Sequence, residues 1–302
     1  MKGRICLKKA LILINAYSKL DTAINQSVRL KEEFKKIGVE VDIKRNNIDT
    51  VMILDGNPIS FIQNYDFVVY LDKDKYTSAL LEKAGMRLFN SHDAIRLCDD
   101  KMDTHIKLTG HDIKMPDTIP GLLCYNLDAP ISEAMLRVKL IEEKLGYPCI
   151  IKESYGSLGK GVYCANNRDE LLSLMEKVKC KSHLFQKMII GSKGRDVRVI
   201  VIGGKVICSM QRVSKTDFRS NIELGGVAEQ FDLPEVFKDI SEKVAELLKL
   251  DYCGIDILFG EDGQPIVCEV NSNAFFGAIE KVTGVNVAAT YAKYIYHTVY
   301  KD

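Results

Sequence analysis

The sequence predicts an α/β protein in two parts: a small parallel-sheet α/β unit first, then an α+β part built from antiparallel hairpins. Three observations carry this reading. Residues 1 to about 88 alternate continuous apolar runs with helical stripes. The middle and last thirds pair apolar runs across glycine-containing turns. The 302 residues are 46% apolar and 27% charged, as in a soluble globular chain of two or three modules.

In the first part, "ALILINA" is a run that suits a buried strand. Its five apolar residues before Asn15 are too few for a secretory signal or a membrane span. "TAINQSVRLKEEFKKIG" follows as a helix carrying Ile24, Val28, Leu30, Phe34 and Ile37 on a broad stripe, with Gly38 as its C-terminal stop. "VEVDI", "DFVVYL" and "MRLFN" are strands, and "YTSALLEKAG" is a helix between the last two. The turn after the first strand reads "NAYSKLD" and lacks GxGxxG, which argues against a dinucleotide site there.

From residue 89 to about 185, "SEAMLRVKLIEEKLG" puts Ala134, Val138, Ile141 and Leu145 on one helical face and ends at Gly146. "YPCIIKES", a glycine loop and "VYCANN" then form a hairpin, followed by the helix "RDELLSLMEKV". Residues 186–302 hold two more hairpins, "DVRVIVIGGKVICSM" and "YCGIDILFGEDGQPIVCEVN". Between them lies the helix "ISEKVAELLKL", with Ile240, Val244, Leu247 and Leu248 together. The expected division is therefore 1–88, 89–185 and 186–302.

Forty-two basic against 41 acidic residues leave a net charge of +1, which argues against nucleic-acid binding by counterion release. Nine cysteines (Cys6, Cys98, Cys124, Cys149, Cys164, Cys180, Cys208, Cys253 and Cys268) are dispersed without a CxxC pair. An odd, scattered set fits reduced thiols in a cytoplasm better than a disulfide framework. The expectation is a cytoplasmic protein with no membrane partner.

Chemistry first shows in "CIIKESYGSLGKGV", residues 149–162. A phosphate loop of the Walker type needs GxxxxGK, a hydroxyl and a following helix, whereas Gly156-Ser157-Leu158-Gly159-Lys160-Gly161 runs into a strand. A glycine-rich hairpin can instead fold as a flap over phosphates through its backbone N–H groups, with Lys152 supplying a cation from the strand. A plain turn with solvated lysines is the alternative.

In the last hairpin, Asp256, Glu269 and Asn271 interrupt apolar strands. Glu269 and Asn271 share a face, and Asp256 lies on the partner strand. Two carboxylates and an amide oxygen suit a hard cation such as Mg²⁺, which would relieve the repulsion of the two carboxylates. An antiparallel pair with one wet face is the alternative.

Taken in order, "NSHDAIRLCDDKMDT", "IIKESYGSLGKGV", "FQKMIIGSKGRDVRVIVIGGKV", "QRVSKTDFRSNIELGG", "GIDIL", "CEVNSN" and "GAIEKVTGVNV" closely resemble the RimK-like ATP-grasp ligases of the α-L-glutamate ligase type, over residues 88 to 298. The resemblance implies an ATP-grasp fold preceded by a small parallel-sheet α/β domain. It assigns Lys101 and Lys152 to the ATP phosphates, with the flap Gly156, Ser157, Gly159 and Gly161 closing over them. Lys187 and Met188 become a hinge meeting adenine through the backbone, and Asp196 meets the ribose hydroxyls. Arg219, Ser220 and Asn221 form a further nucleotide contact, and Arg212 faces an acyl phosphate. Asp256, Glu269 and Asn271 become ligands of Mg²⁺, with Mn²⁺ as the substitute ion.

Taken singly, these residues admit plainer readings: Asp196 in a surface ion pair, Lys101 on a helix face beside Asp99 and Asp100, and Arg212 on an exposed strand. The chain also departs from the family pattern. Lys187 stands where the hinge is acidic in relatives, and Ser272-Asn273-Ala274-Phe275-Phe276 replaces the Ala-Ser-Pro of relatives that act on a ribosomal protein tail.

The implied activity is ATP-driven amide formation through an acyl phosphate, joining an amino acid such as glutamate to a small-molecule carboxylate, a protein tail or a carrier protein. Dimers or tetramers are the implied assembly. A small-molecule kinase or a non-catalytic ATP-binding module on the same fold are the competing expectations.

Overall fold

Residues 8–19, 21–48 and 50–300 are described by a computed structural model of the chain. Cys6 lies outside the described residues. The first sheet is built from β1 (Lys9–Ile14), β2 (Glu40–Arg45), β5 (Phe67–Leu71) and β6 (Leu88–Phe89), in the order β2-β1-β5-β6 and parallel throughout. Its central strands are buried on both faces, which is why they read as continuous apolar runs. Helix α1 (Asp21–Lys36) crosses from β1 to β2 and stops at Gly38, whose φ is +79°. Helix α2 (Lys75–Lys83) follows β5, capped by Asp74.

Two local expectations are corrected here. The buried stripe of α1 is Gln26, Ser27, Leu30, Glu33 and Phe34, while Val28 is 42% exposed. Gln26 and Glu33 tolerate burial because each is hydrogen-bonded: Gln26 donates to the Ala274 carbonyl at 3.3 Å, and Asn286 donates to Glu33 at 3.0 Å. A period of apolar residues cannot register them. A short hairpin, β3 (Val51–Leu54) and β4 (Asn57–Ser60), also joins the unit. Its turn residues Asp55 and Gly56 both have positive φ, a signal that "DG" carried in the sequence and the strand reading passed over.

Next come α3 (His92–Asp99) and α4 (Lys101–Leu108), then β7 (Thr118–Pro120), α5 (Met135–Lys144), β8 (Cys149–Glu153), β9 (Val162–Ala165), α6 (Arg168–Val178) and β10 (His183–Lys187). The sheet order is β7-β10-β8-β9, all antiparallel. Alternation sends Cys149, Ile151 and Phe185 into a core with Val138, Ile141, Leu171 and Met175 of α5 and α6. Ile150, Lys152 and Gln186 are left on the opposite face. The β8–β9 loop is the glycine segment, where Gly156, Gly159 and Gly161 take positive φ.

The third sheet has the order β13-β12-β11-β14-β15, from β11 (Arg195–Ile202), β12 (Lys205–Val213), β13 (Val227–Gln230), β14 (Tyr252–Phe259) and β15 (Pro265–Asn271). Gly203 and Gly204 turn β11 into β12. One face, with Val197, Val199, Cys253 and Ile255, packs on α7 (Glu235–Leu247) and on Ala94, Cys98 and Leu108 of α3 and α4. The other face changes character along β11. Asp196 and Arg198 are polar, whereas Ile200 and Ile202 join a core shared with the first sheet, α8 (Gly277–Thr283) and α9 (Val287–Tyr300). The polar half of that face forms one wall of a cleft.

Asn90 ties the first sheet to the third. Its Nδ2 donates to the carbonyls of Tyr252 at 2.8 Å and Ser272 at 2.7 Å, while its Oδ1 accepts from the amides of Asp251 at 2.7 Å and Tyr252 at 3.0 Å. Asn90 is buried, so removing it strands four backbone groups. Asn90→Ala is expected to cost about 3 kcal/mol or more of stability in urea unfolding; a loss under about 1 kcal/mol would show that Asn90 is not the clip.

Candidate active site

A cleft of about 790 Å³, counting solvent at its mouth, opens between the β8–β10 face and the polar half of the third sheet. Lys152, Gly159, Lys187, Met188, Asp196, Arg212, Arg219, Ser220, Asn221, Asp256 and Glu269 line it. This size and mixed lining suit a small-molecule ligand. Of the other residues singled out from sequence, Lys101, Gly156, Ser157, Gly161 and Asn271 stand outside that lining; Gly161 adjoins Val162 of the lining, and Lys101 donates to the Gly156 carbonyl.

The floor is an ionic ladder set by strand register. Asp196 pairs with Arg212 across β11 and β12, Arg198 with Asp256 across β11 and β14, and Asp256 with Glu269 across β14 and β15. Arg212 donates to Asp196 from Nε at 2.8 Å and reaches Asp256 Oδ2 at 2.9 Å; Arg198 donates to both oxygens of Asp256. All four of Asp196, Arg198, Arg212 and Asp256 are buried.

Burial alone would raise the Asp256 pKa, but Arg198 and Arg212 outweigh it and hold the carboxyl below its ordinary range. Burial likewise works against the Arg212 charge, and Asp256 and Asp196 more than restore it. Asp196 is therefore no surface pair, and Arg212 no exposed strand residue.

This ladder corrects the argument from carboxylate repulsion. Two arginines already neutralise Asp256, so no cation is required to make the Asp256–Glu269 pair tolerable. The donor set still fits a hard divalent ion. Glu269 and Asn271 make no side-chain hydrogen bond to another described residue, register puts Asn271 two positions from Glu269 on the same face, and Asp256 keeps lone pairs beyond those its arginines use.

A bulge sharpens the placement. Asp256 pairs with Glu269 and Ile257 with Val267, so Cys268 is the extra residue. Lys152 Nζ lies 3.3 Å from its sulfur.

Lys101 sits in the first turn of α4, capped by Asp100, and is buried. Its Nζ donates to the Gly156 carbonyl at 2.9 Å and its amide to the Ser154 carbonyl at 3.0 Å, so it belongs to the base of the flap rather than to a helix surface. Burial pushes the ammonium pKa down; Glu269 opposes this, and Lys73 and Lys152 add to it.

The flap leans on the 217–224 segment. Arg219, held by Asp217, donates to the Gly159 carbonyl at 2.8 Å. Gly159 has φ +72°, and a Cβ there would come within 2.8 Å of Leu224 Cδ1.

At the other end, Pro116, Ile150, Phe218 and Leu258 line an apolar slot beside Met188. Met188 is buried and its N–H has no acceptor among the described residues, whereas the Lys187 side chain points outward, 4.0 Å from Asp117.

Beneath this slot lies a network that sequence reading missed. Gln186 Nε2 is 3.0 Å from Thr118 Oγ1 and 3.1 Å from His105 Nε2. Arg198 was missed as well. Alternation from Asp196 put it on the same face, the one signal that could have found it. His105 and Gln186 are 81 residues apart, and no local pattern joins them.

A family model described as the RimK-like ATP-grasp domain matches residues 98–295, and the chain belongs to that family. Beta-citrylglutamate synthase B of Danio rerio is 39% identical over 230 residues, 75% of this chain and 55% of that protein. The chain thus spans about half the length of that relative. Glutamate--LysW ligase ArgX of Sulfurisphaera tokodaii is 32% identical over 227 residues, covering 73% of this chain and 76% of that one. The structure of D-alanine--D-alanine ligase from Bacillus anthracis complexed with ATP matches in fold, with a TM-score of 0.71 at 21% identity over 95% of this chain and 94% of that chain. An ATP-grasp fold implies a nucleotide site and divalent-metal use in general terms.

Burial, with Lys152 adding to it, pulls the His105 pKa down to about 4 from its ordinary 6.5. Below pH 6.5 the unfolded chain takes up a proton that the folded chain refuses. The stability contributed by neutral His105 is therefore complete above pH 6.5 and is lost as pH falls toward 4, on the order of 3 kcal/mol in all. His105→Gln is expected to flatten urea-derived stability over that window; parallel curves for the two proteins would contradict it.

Proposed function

We propose that the protein is an ATP-dependent carboxylate–amine ligase that forms an amide through an acyl phosphate, with glutamate as the amine. The observation that carries this is the meeting of Lys152, Arg212 and the Asp256–Glu269 pair in one cleft, with Lys101 held at the base of the glycine flap. Both named relatives above carry glutamate in their names. The acceptor is a small-molecule carboxylate or a protein tail, and Ser272–Phe276 borders its place.

In the first step an acceptor carboxylate oxygen attacks the γ-phosphorus, the bond to the bridging oxygen breaks, and ADP leaves. In the second the glutamate nitrogen attacks the acyl carbon, phosphate departs with the C–O bond electrons, and the amine proton passes to phosphate or water. Neither step needs a protein nucleophile; positioning and charge neutralisation suffice. Lys101 and Lys152 hold the phosphates, with backbone N–H groups around Gly156, Ser157, Gly159 and Gly161 over them.

Arg212, fixed by two carboxylates, presents its guanidinium to the acyl phosphate. Met188 offers its N–H and Lys187 its backbone to adenine. Asp196 keeps lone pairs for the ribose, and Arg219, Ser220 and Asn221 complete the contact where the flap docks. Glu269, Asn271 and Asp256 hold Mg²⁺, or Mn²⁺ in its place, which supplies charge neutralisation at the phosphates.

The three-part division at 88 and 185, homo-oligomer formation and a cytoplasmic setting belong to the same proposal. The setting is supported by the free state of all eight described cysteines. Among the described residues no helix is long and apolar enough to cross a membrane.

ADP release over many turnovers should require Mg²⁺, ATP, a carboxylate acceptor and glutamate together, and intact mass should show the acceptor enlarged by one glutamyl unit. ADP release with a single substrate and a phosphorylated product would establish a kinase instead, and no release with any pair would leave a binding module. Lys152→Met is expected to lower kcat about 100-fold or more while leaving the fold intact; near-normal turnover would remove Lys152 from the phosphate site. Gly159→Ala, opposed by its φ and by Leu224, should lower turnover more than melting temperature, and unchanged turnover would argue against a closing flap.

A further inference from the structure

We propose that His105 is a positioning residue that fixes the Gln186 amide with its carbonyl oxygen toward the nucleotide cleft, and thereby selects adenine over guanine nucleotides. The inference rests on the nucleotide reading of the cleft and adds its base specificity.

The protons available to Thr118 and His105 fix the orientation of the Gln186 amide. The Thr118 hydroxyl donates to the Pro116 carbonyl at 2.7 Å, so its single proton is committed and its oxygen can only accept from Gln186. The Gln186 group 3.0 Å away is thereby the NH₂, and its second hydrogen points to His105 Nε2 at 3.1 Å. His105 Nε2 is then unprotonated, and Nδ1 carries the ring's one proton.

Flipping the amide would reverse every link. His105 would need its proton on Nε2, and the Thr118 hydroxyl would have to withdraw from Pro116 to donate to the amide oxygen. The carbonyl of buried Pro116 would lose its donor. Gln186 is 1% exposed and His105 6%, so water does not make good that loss.

With both amide hydrogens used, Gln186 Oε1 makes no hydrogen bond to a described residue, and Gln186 lines the cleft. It lies on the face shared with Ile150 and Lys152, one residue before Lys187 and two before Met188. An acceptor held at this place complements an exocyclic amine, which adenine offers, and opposes the carbonyl that guanine places there. The free Met188 N–H favours the same base, so Gln186 supplies part of the discrimination and not all of it.

The test is calorimetric binding of Mg·ADP and Mg·GDP to the intact protein, which needs no knowledge of the acceptor. Wild type should prefer ADP. His105→Leu, which removes the acceptor and frees the amide, should lower the ADP-to-GDP affinity ratio about tenfold, the equivalent of one neutral hydrogen bond. His105→Gln, whose Oε1 can take the place of Nε2, should keep the ratio near wild type, a rescue that loss of packing alone would not give.

Should His105→Leu fail to fold, Thr118→Val removes the other acceptor and should lower the ratio in the same direction. Preference for ADP in wild type with an unchanged ratio in the leucine or valine variant would overturn the role of His105 and leave the nucleotide site standing. Failure of wild type to bind either nucleotide would overturn both.

Discussion

The architecture depends on a run of alternating charges laid across one sheet face: Asp196, Arg212, Asp256 and Arg198. Each member is buried, and each would be costly alone. Their mutual pairing is what makes a polar floor compatible with a folded core. The arrangement works because β11 changes character along a single face. Ile200 and Ile202 seal against the first sheet, while Arg198 and Asp196, two and four residues before Ile200, are polar, and Asp196 lines the cleft. The same strand therefore anchors the molecule and furnishes its chemistry.

From this floor the remaining features follow as matters of positioning. The bulge at Cys268 sets Glu269 beside Asp256 and brings the Cys268 sulfur to Lys152. Lys101 joins α4 to the flap, and Arg219 joins the flap to the 217–224 segment. His105 joins the helix that carries Lys101 to Gln186. Three pieces of chain distant in sequence thus meet around one volume, and charge in one of them is felt in the others. Lys101, for instance, senses both Glu269 and Lys152.

What could be read from sequence was local. The hairpins were legible because glycine pairs and alternating apolar residues mark them, as at Gly203–Gly204. The helices were legible where an apolar stripe met a terminating glycine, as at Val138, Ile141 and Gly146. The α3 and α4 pair went unread, although Ser91 and Asp100 stand as their caps, because eight-residue helices carry too few apolar repeats. The candidate site was legible as an ordered set of motifs and not as geometry. Arg198 lies 58 residues from the aspartate it neutralises, so nothing nearby showed that Asp256 was already compensated. Buried Gln26 and Glu33 escaped notice for a related reason: Gln26 bonds to Ala274, and Glu33, besides pairing with Arg29 and Lys36 on its own helix, accepts from Asn286 near the far end of the chain.

The most direct test is a crystal structure with Mg²⁺ and a non-hydrolysable ATP analogue. The account requires the base beside Met188 and Gln186, the terminal phosphates between Lys101 and Lys152, and the ion against Glu269 and Asn271. A nucleotide seated away from the Asp196–Arg212–Asp256 floor, or an ion that leaves Glu269 untouched, would contradict it.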